Sequence, residues 1–414
     1  MPNTLDSAYG TITRDGVIRH TDDADFAYLP AATIQSHAAN LQTLPDGRLG
    51  CVWFGGTQEG VSDIYVWFSA LTPGTGQWSD PEQLSDDAAR SEQNPILFAP
   101  GGDTVWLLYT AQKAGNQDTA EVRRRISTDS GHTWGPAETL FAANEAGGIF
   151  VRHQPLILPS GRWIVPIFRC LTTPGEKWSG NNDDSAVMIS DDNGNTWAEH
   201  LVPGSTGCVH MDIQPLPDGS LLALYRSRWA DHIYESRSTD DGTTWTEPVP
   251  TELPNNNSSI QFTALADGRL ALVYNHRRAE ETTERRLSLY DEIDDNGLIE
   301  AGSEPTAVDP APSSSTGRTA FWGTPRAPMT LAISEDGGRT WPIRRNLEVG
   351  DGYCLSNNSR DGLNREFSYP SIHQGPDGEL NIAYTYFRQA IKYVKVSPQW
   401  AYAGTTTPGG DSDA

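Results

Sequence analysis

STDSGHTW, residues Ser127–Trp134, is one of four copies of the same eight-residue pattern in this chain. The pattern S-x-D-x-G-x-T-W returns as SDDNGNTW, STDDGTTW and SEDGGRTW, at Ser190–Trp197, Ser238–Trp245 and Ser334–Trp341, and a weaker copy ends at Trp78. The repeat unit is roughly 50–60 residues, a period typical of propeller blades or solenoids. In each copy we expect the Asp to accept backbone N–H groups of a tight turn, the Gly to adopt a positive φ and the Trp to pack between neighbouring units.

A second set of turns alternates with the first. Apolar stretches such as SLLALY and RLALVY flank these turns, as in β-hairpins. Together the two sets predict an all-β propeller of six four-stranded blades. We expect the sixth blade to combine C-terminal strands within residues 369–394 with a strand from the N-terminus, and a seventh blade within 278–326 is the alternative. The hairpin turns are Pro45-Asp46-Gly47, Pro100-Gly101-Gly102, Pro159-Ser160-Gly161, Pro217-Asp218-Gly219, Ala266-Asp267-Gly268 and Pro376-Asp377-Gly378.

The composition bounds the class of protein. The 414 residues carry 30 Lys+Arg against 54 Asp+Glu, a formal net charge of −24, which disfavours a nucleic-acid or anionic-membrane partner. The polar N-terminus shows no secretory signal, and no apolar run is long enough to span a membrane. The four cysteines are scattered without metal-like spacing, and we expect Cys51 and Cys170 to be buried free thiols. We therefore expect a cytoplasmic protein, with a secreted protein whose signal has been removed as the alternative. We also expect a single propeller domain over residues 1–403, a disordered tail over 404–414 and no cofactor.

The order of the strands predicts which face of the propeller carries function. Both kinds of turn lie on one face of the disc, so the opposite face holds the residues before the first strand and after the second strand of each blade. Four of the nine histidines fall there. Inner strands converge on a central funnel, so this rim is the candidate site. Its candidate residues are His37, Trp53, Glu59, Asn94, Arg152, His153, His210, Arg226, Arg228, Asn256, Asn257, Tyr274, His276, Tyr369, Tyr386 and Arg388.

The repeated turns, with their spacing, resemble the Asp boxes of the sialidase superfamily. The stretches SHAANLQTLPDGRLGCVWFGGTQEG, LPNNNSSI, EFSYPSI and YTYFRQAIKYV resemble its bacterial sialidase-like branch in particular. This resemblance implies a propeller and activity on a glycan that contains an acidic sugar. The histidine-rich rim is similar to that of the L-rhamnose-α-1,4-D-glucuronate lyases.

β-Elimination at a uronate needs a base for the C5 proton, an acid for the O4 leaving group and cations for the carboxylate. We expect His37, His153 and His210 to supply base and acid, and Tyr369 to donate a proton or assist its removal. We expect the carboxylate to be held by Arg152, Arg226 and Arg228, with help from Asn256 and Asn257. The residues predicted to contact the sugar are Trp53, Glu59, Asn94, Tyr274, His276, Tyr386 and Arg388.

Two other functions are open at this point. In a sialidase-type hydrolase, Tyr369 matches the family's nucleophile, Arg228 and Arg388 are candidates for the arginine triad, and Glu59 or Asp63 is the candidate acid. His37 replaces the early arginine of the family, and no glutamate is expected on the rim beside Tyr369. The second alternative is a glycan-binding propeller without catalysis.

The insertion 278–326 is expected to form a lid over the rim. Arg318, Phe321 and Trp322 are the residues that would close over substrate, and a solvent loop is the alternative. A Ca²⁺ or Zn²⁺ site at His210 with Asp212, or at Asn94, is a further alternative to the absence of a metal.

Overall fold

The computed structural model describes residues 4–7, 10–172, 178–281, 284–286, 288–290, 292–294, 297–298 and 316–404. The predicted tail beyond 404 and much of the predicted lid, chiefly 299–315, lie outside the described residues. Four short strands precede the first blade: β1 (Thr4–Ser7), β2 (Gly10–Thr13), β3 (Arg19–His20) and β4 (Asp25–Tyr28).

Six antiparallel sheets then follow one another along the chain. Blade 1 consists of β5 (Gln35–Thr43), β6 (Leu49–Gly56), β7 (Tyr65–Leu71) and β8 (Glu82–Gln83). Blade 2 consists of β9 (Ser91–Gly101), β10 (Thr104–Lys113), β11 (Asn116–Ser127) and β12 (Glu138–Phe141). Blade 3 consists of β13 (Gly147–Phe150), β14 (Leu156–Ile157), β15 (Trp163–Leu171), β16 (Asp184–Ser190) and β17 (Ala198–Leu201).

Blade 4 consists of β18 (Cys208–Pro215), β19 (Leu221–Ser227), β20 (His232–Ser238) and β21 (Val249–Pro254). Blade 5 consists of β22 (Gln261–Ala264), β23 (Leu270–Asn275), a 3₁₀ helix (Ala279–Glu281), the hairpin β24 (Ile293–Asp294) and β25 (Gly297–Leu298), then β26 (Met329–Ser334) and β27 (Ile343–Glu348). Blade 6 consists of β28 (Phe367–Gln374), β29 (Leu380–Tyr386) and β30 (Ala390–Val396), before a 3₁₀ helix (Pro398–Gly404).

The N-terminus closes the ring. Strand β4 pairs antiparallel with β30, with Tyr28 opposite Lys392 and Phe26 opposite Val394. The sixth sheet therefore has the order β28-β29-β30-β4-β3, and the predicted closure is confirmed. The described part of the insertion forms only the two-residue strands β24 and β25, so the seven-bladed alternative is wrong.

The four S-x-D-x-G-x-T-W segments are turns between the last two strands of blades 2 to 5: β11 and β12, β16 and β17, β20 and β21, and β26 and β27. In the first, Asp129 Oδ1 accepts the Thr133 N–H at 2.8 Å and Oδ2 accepts the Thr133 hydroxyl at 2.6 Å. Gly131 has φ +85°, which a side chain would strain. The tryptophans pack at the junctions of neighbouring blades, as Trp341 does against Leu222 and Leu272.

The innermost strands are linked around the ring by side chains. Each has no sheet partner on the side of the propeller axis, so its free N–H groups need other acceptors. Side-chain oxygens from one inner strand accept backbone N–H groups from the inner strand of a neighbouring blade. The pairs are Asn40 with Leu97, Asp212 with Phe262, Gln261 with Ile372, and Ser371 with Leu41.

A β-bulge recurs near the beginning of the innermost strands. Its left-handed residues are Ala38 in β5, Asn94 in β9, His210 in β18 and Tyr369 in β28, with φ between +49° and +62°. Bulges bend a strand and redirect its side chains. The same β-bulge therefore directs the side chains at the rim in four of the blades.

All four cysteines are free and buried, in agreement with the expectation of free thiols. Within the described residues, no helix has the length and apolar character of a membrane span.

Candidate active site

Tyr369 lies at the centre of the rim, on the bulge of β28. Its backbone has φ +50°, a conformation that costs a bulky residue about 1–3 kcal/mol. Arg152 supports this bulge, because its Nη2 donates to the carbonyl oxygens of Tyr369, Pro370 and Ala39 at 3.1–3.2 Å. Arg152 thus fixes the backbone of Tyr369 from beneath, with its guanidinium 5.3 Å from the phenol ring.

The phenol oxygen of Tyr369 is bound by Arg226. Arg226 Nη1 donates to it at 2.6 Å, and Arg226 Nε donates to Asn257 Oδ1 at 2.8 Å. Burial lowers the pKa of Arg226 to about 9, so the guanidinium keeps its charge at pH 7. Among the described residues, Arg226 has no carboxylate partner, and its Nη2 has no hydrogen-bond acceptor. A buried cation with a free donor of this kind can bind an anion.

Two histidines flank the same phenol ring. The rings of His37 and His210 lie 4.3 Å and 5.6 Å from that of Tyr369. His37 Nδ1 contacts Thr385 Oγ1 at 2.8 Å, whereas its Nε2 is buried without a partner among the described residues. His210 Nε2 lies 3.4 Å from Arg226 Nη1 and can only accept there. Burial and nearby arginines hold the pKa of both histidines well below the usual value, so both are neutral at pH 7.

His153 lies one step away from this group. Its Nδ1 is 4.0 Å from Asp212 Oδ2, and neither ring nitrogen has a hydrogen-bond partner in the described structure. Burial, and then the charge of Arg152, lowers its pKa well below the usual value. Asp212 is itself buried, which raises the pKa of its carboxyl to about 8. In the described structure His153 therefore lies beside Asp212, one of the residues that link the innermost strands, and it does not contact the phenol of Tyr369.

A chain of buried ion pairs borders the other side of His37. Glu59 Oε2 accepts a 2.5 Å hydrogen bond from Arg388 Nη1, and Arg388 Nε lies 3.1 Å from Glu366 Oε1. Arg326 Nη1 donates to the same Glu366 oxygen at 2.9 Å. Although burial opposes it, Arg326 and Arg388 hold the pKa of Glu366 well below its usual range. Arg388 and Glu59 thus lie on the rim as predicted, but each is bound to an opposite charge.

Sequence reasoning missed Glu366 and Arg326. The expectation that no glutamate stands near Tyr369 is wrong, because Glu366 lies three residues before it and 3.9 Å from His37 Nδ1. The described partners of Glu366 are Arg326, Arg388, Ser368 and Asn364, and not the phenol. The stretch EFSYP contained the signal, since Glu366 lies directly before β28 and Ser368 lies on β28, just before the bulge.

Arg228 is likewise already paired. Its Nη2 donates to Asp183 Oδ2 at 2.6 Å, and Trp178 Nε1 donates to the other oxygen at 2.9 Å. The guanidinium lies 5.1 Å from the ring of Trp322 and 5.6 Å from that of Trp178. This neutral pair forms a wall of the site.

Comparison with known proteins agrees with the geometry. The BNR repeat-like domain family matches residues 47–382 of the chain. The chain belongs to that family. The anhydrosialidase of Macrobdella decora is 27% identical over 166 residues, which are 36% of this chain and only 20% of that protein.

Solved structures show the same fold. The Hadza microbial sialidase Hz136 superposes with a TM-score of 0.63 at 14% identity, covering 89% of this chain and 66% of that one. The intramolecular trans-sialidase of Ruminococcus gnavus, solved with oseltamivir carboxylate, gives 0.62 at 15% identity, covering 95% and 99%. The BNR-repeat propeller of this chain thus has the fold of these solved structures.

Some predicted rim residues of this BNR-repeat propeller lie elsewhere. Trp53, Tyr274 and Tyr386 are packed in hydrophobic cores of the blades, so the structure does not support sugar stacking by these side chains. His276 contacts the Tyr274 hydroxyl at 2.5 Å, and burial lowers its pKa to about 4.

The amide residues of the rim lie closer to the site. Asn257 binds Arg226 and donates to the Phe321 carbonyl oxygen at 2.9 Å. Asn256 donates to the Pro325 carbonyl oxygen at 2.9 Å. The Oδ1 atoms of Asn256 and Asn94 are buried without partners among the described residues.

The described residues of the insertion cover the rim of the propeller. Tyr290 accepts hydrogen bonds from Gln112 and Gln117 of blade 2, at 3.1 and 2.9 Å. Trp322 packs at 6.0 Å from Trp178, and the Phe321 N–H donates to the Arg228 carbonyl at 2.8 Å. The guanidinium of Arg226 lies 5.9 Å from the ring of Trp322, so the insertion contacts the group around Tyr369, which is 6% exposed.

Arg318 of the insertion turns outward from the site. It binds Asp231 at 2.7 Å beside Trp229.

No three His, Cys, Asp or Glu side chains in the described part of the chain are grouped so that they could hold a metal ion. Asp212 Oδ2 accepts the Phe262 N–H at 2.8 Å, which gives this carboxyl a structural role in the ring of inner strands.

Proposed function

We propose that this BNR-repeat propeller is an enzyme that cleaves a glycan at a uronic acid by β-elimination. The proposal is based on the group of side chains around the phenol of Tyr369. Arg226, which has no carboxylate partner among the described residues, donates to this phenol, and the neutral rings of His37 and His210 lie beside it. Elimination requires a base, an acid and a cation, and it requires no positioned water.

The carboxylate of the uronate binds Arg226, whose Nη2 is the free donor, and Asn257 keeps that guanidinium in place through its Nε. Binding there neutralises the carboxylate and makes the C5 proton more acidic. A guanidinium suits this task because its donors are fixed in one plane.

His37 takes the C5 proton on its unpartnered Nε2. The C5–H electron pair forms the C4=C5 double bond, and the C4–O4 bond breaks. Tyr369 gives its phenol proton to the leaving oxygen, and Arg226 stabilises the phenolate at 2.6 Å. Transfer of the proton from His37 to the phenolate restores the starting state, so atoms and charges balance.

Incubation with a rhamnosyl-glucuronide tests the proposal. The expected result is a rise in the ultraviolet absorbance of an unsaturated uronate, with free rhamnose detected by mass spectrometry. Tyr369→Phe is the control for contaminating activity. Saturable binding of the glycan without any product would instead assign a binding module.

A second candidate is sialidase-type hydrolysis with Tyr369 as nucleophile, favoured by the similarity to the anhydrosialidase. In that mechanism Glu59 would serve as the acid. Release of sialic acid from sialyllactose, without an absorbance change, would select it over elimination.

A further inference from the structure

A carboxylate of the protein itself occupies the space between two rim arginines. Glu366 Oε1 lies 2.9 Å from Arg326 Nη1 and 3.1 Å from Arg388 Nε. Glu366 and Arg388 are 0% and 1% exposed, so water screens these charges little. Ser368 and Asn364 donate to the two carboxylate oxygens at 2.5 and 2.9 Å, which fixes the anion in place.

The charges of this network cancel. Arg388 also holds Glu59, so two carboxylates face two guanidiniums. Asp183 neutralises Arg228 in the same way. Arg226 differs from these three arginines, because its hydrogen-bond partners are a phenol and an amide and not a carboxylate.

We propose that Glu366 is a specificity-determining residue. It keeps Arg326 and Arg388 occupied, so that an incoming carboxylate is received by Arg226 and not by these two arginines. This inference rests on the proposed function for the identity of the substrate, because the guanidinium of Arg226, which has no carboxylate partner among the described residues, matches the carboxylate of a uronate. A second anion placed at Arg326 or Arg388 would be repelled by the buried Glu366.

Glu366→Gln tests this role with formate as the probe. Glutamine keeps the shape and one acceptor oxygen, but it leaves Arg326 without a counter-charge and Arg388 with that of Glu59 alone. Formate, at constant ionic strength in chloride, should then stabilise the variant in thermal unfolding with an apparent Kd about tenfold or more below that of the wild type. Glu252→Gln, which removes the charged partner of the half-buried Arg344, should leave the formate response unchanged.

An equal formate response in the wild type and Glu366→Gln overturns the inference. If that variant does not fold, Glu366→Ala provides the second measurement, because formate should restore soluble, folded protein where chloride does not. Failure of formate to restore it, when Glu366→Gln also fails to fold, overturns the inference as well. A formate gain in Glu366→Gln, together with a wild type that cleaves no uronide, supports the anion-site role and rejects the proposed function alone.

Discussion

Arg226 Nη1 donates a 2.6 Å hydrogen bond to the phenol oxygen of Tyr369, although 143 residues separate the two in the chain. Arg226 comes from the second strand of blade 4 and Tyr369 from the bulged first strand of blade 6. The propeller thus brings a phenol and a buried guanidinium from two different blades into hydrogen-bond contact.

Tyr369→Phe should lower kcat on a rhamnosyl-glucuronide by about 10²–10⁴, since the proton donor is lost. The absorbance of the unsaturated product is the measurement. Tyr384→Phe is the matched control, because this buried phenol of blade 6 donates to Glu348 of blade 5 at 2.9 Å and contacts none of the residues around Tyr369 in the described structure. Equal rates in Tyr369→Phe and the wild type would remove Tyr369 from the mechanism.

His37→Gln should lower kcat to a similar extent, since the base is lost. His373→Gln is its matched control, because both histidines contact a threonine hydroxyl at 2.8 Å. Activity retained in His37→Gln and lost in His373→Gln would contradict the assignment.

The pH dependence gives a separate test of His37. Its pKa is held well below that of an ordinary histidine, chiefly by burial. The base therefore stays unprotonated, and kcat/KM should not fall between about pH 7 and pH 6, where an unperturbed histidine begins to protonate. A loss of activity that follows an ordinary histidine titration would show that another group is the base.

Gly194→Ala should destabilise the fold, because Gly194 is the glycine of the S-x-D-x-G-x-T-W turn at Ser190–Trp197. A Cβ at Gly194 would lie 2.7 Å from Trp106, and the residue has φ +82°. Gly219→Ala has nearly the same φ, +85°, with nothing within 4 Å. The backbone cost is about 1 kcal/mol in both variants, and overpacking adds about 1–3 kcal/mol only in Gly194→Ala. Urea unfolding measures the difference, and equal midpoints would contradict it.

Asp212→Asn should stabilise the protein increasingly as the pH rises. The folded pKa of about 8 lies above the ordinary value of 3.8, so the unfolded chain releases this proton between pH 4 and 8 while the folded protein retains it. That difference favours unfolding of the wild type by up to about 1.4 kcal/mol per pH unit, and asparagine removes it. Denaturant unfolding at pH 5 and pH 7 provides the comparison.

Asp218→Asn is the control for this experiment. Its hydrogen bonds with Ser220 lower the pKa of this exposed carboxyl, so both states are ionised above pH 5. No increase in relative stability is expected between pH 5 and 7 for this variant. An equal pH slope in the two variants would refute the assignment to Asp212.

The candidate site was predictable in position more than in function. Strand order placed His37, His210, Arg226 and Tyr369 on one rim, because propeller topology fixes which strand ends share a face. Glu366 and Arg326 escaped, since a buried ion pair needs two side chains whose distance the sequence does not contain. Trp53 was misplaced because residue position along a strand does not reveal which side of a blade the side chain packs against.

The sequence by itself determined the repeat, the turns and the closure of the ring, because these depend on short-range hydrogen bonding in S-x-D-x-G-x-T-W and on alternating apolar strands. Only the tertiary structure decided which arginines are free to act. Arg226, Arg228 and Arg388 cannot be distinguished from the sequence. In the structure Asp183 neutralises Arg228, and Glu59 and Glu366 neutralise Arg388. Charge pairing acts through space, between residues from different blades, and it leaves Arg226 beside Tyr369 with a hydrogen-bond donor to offer.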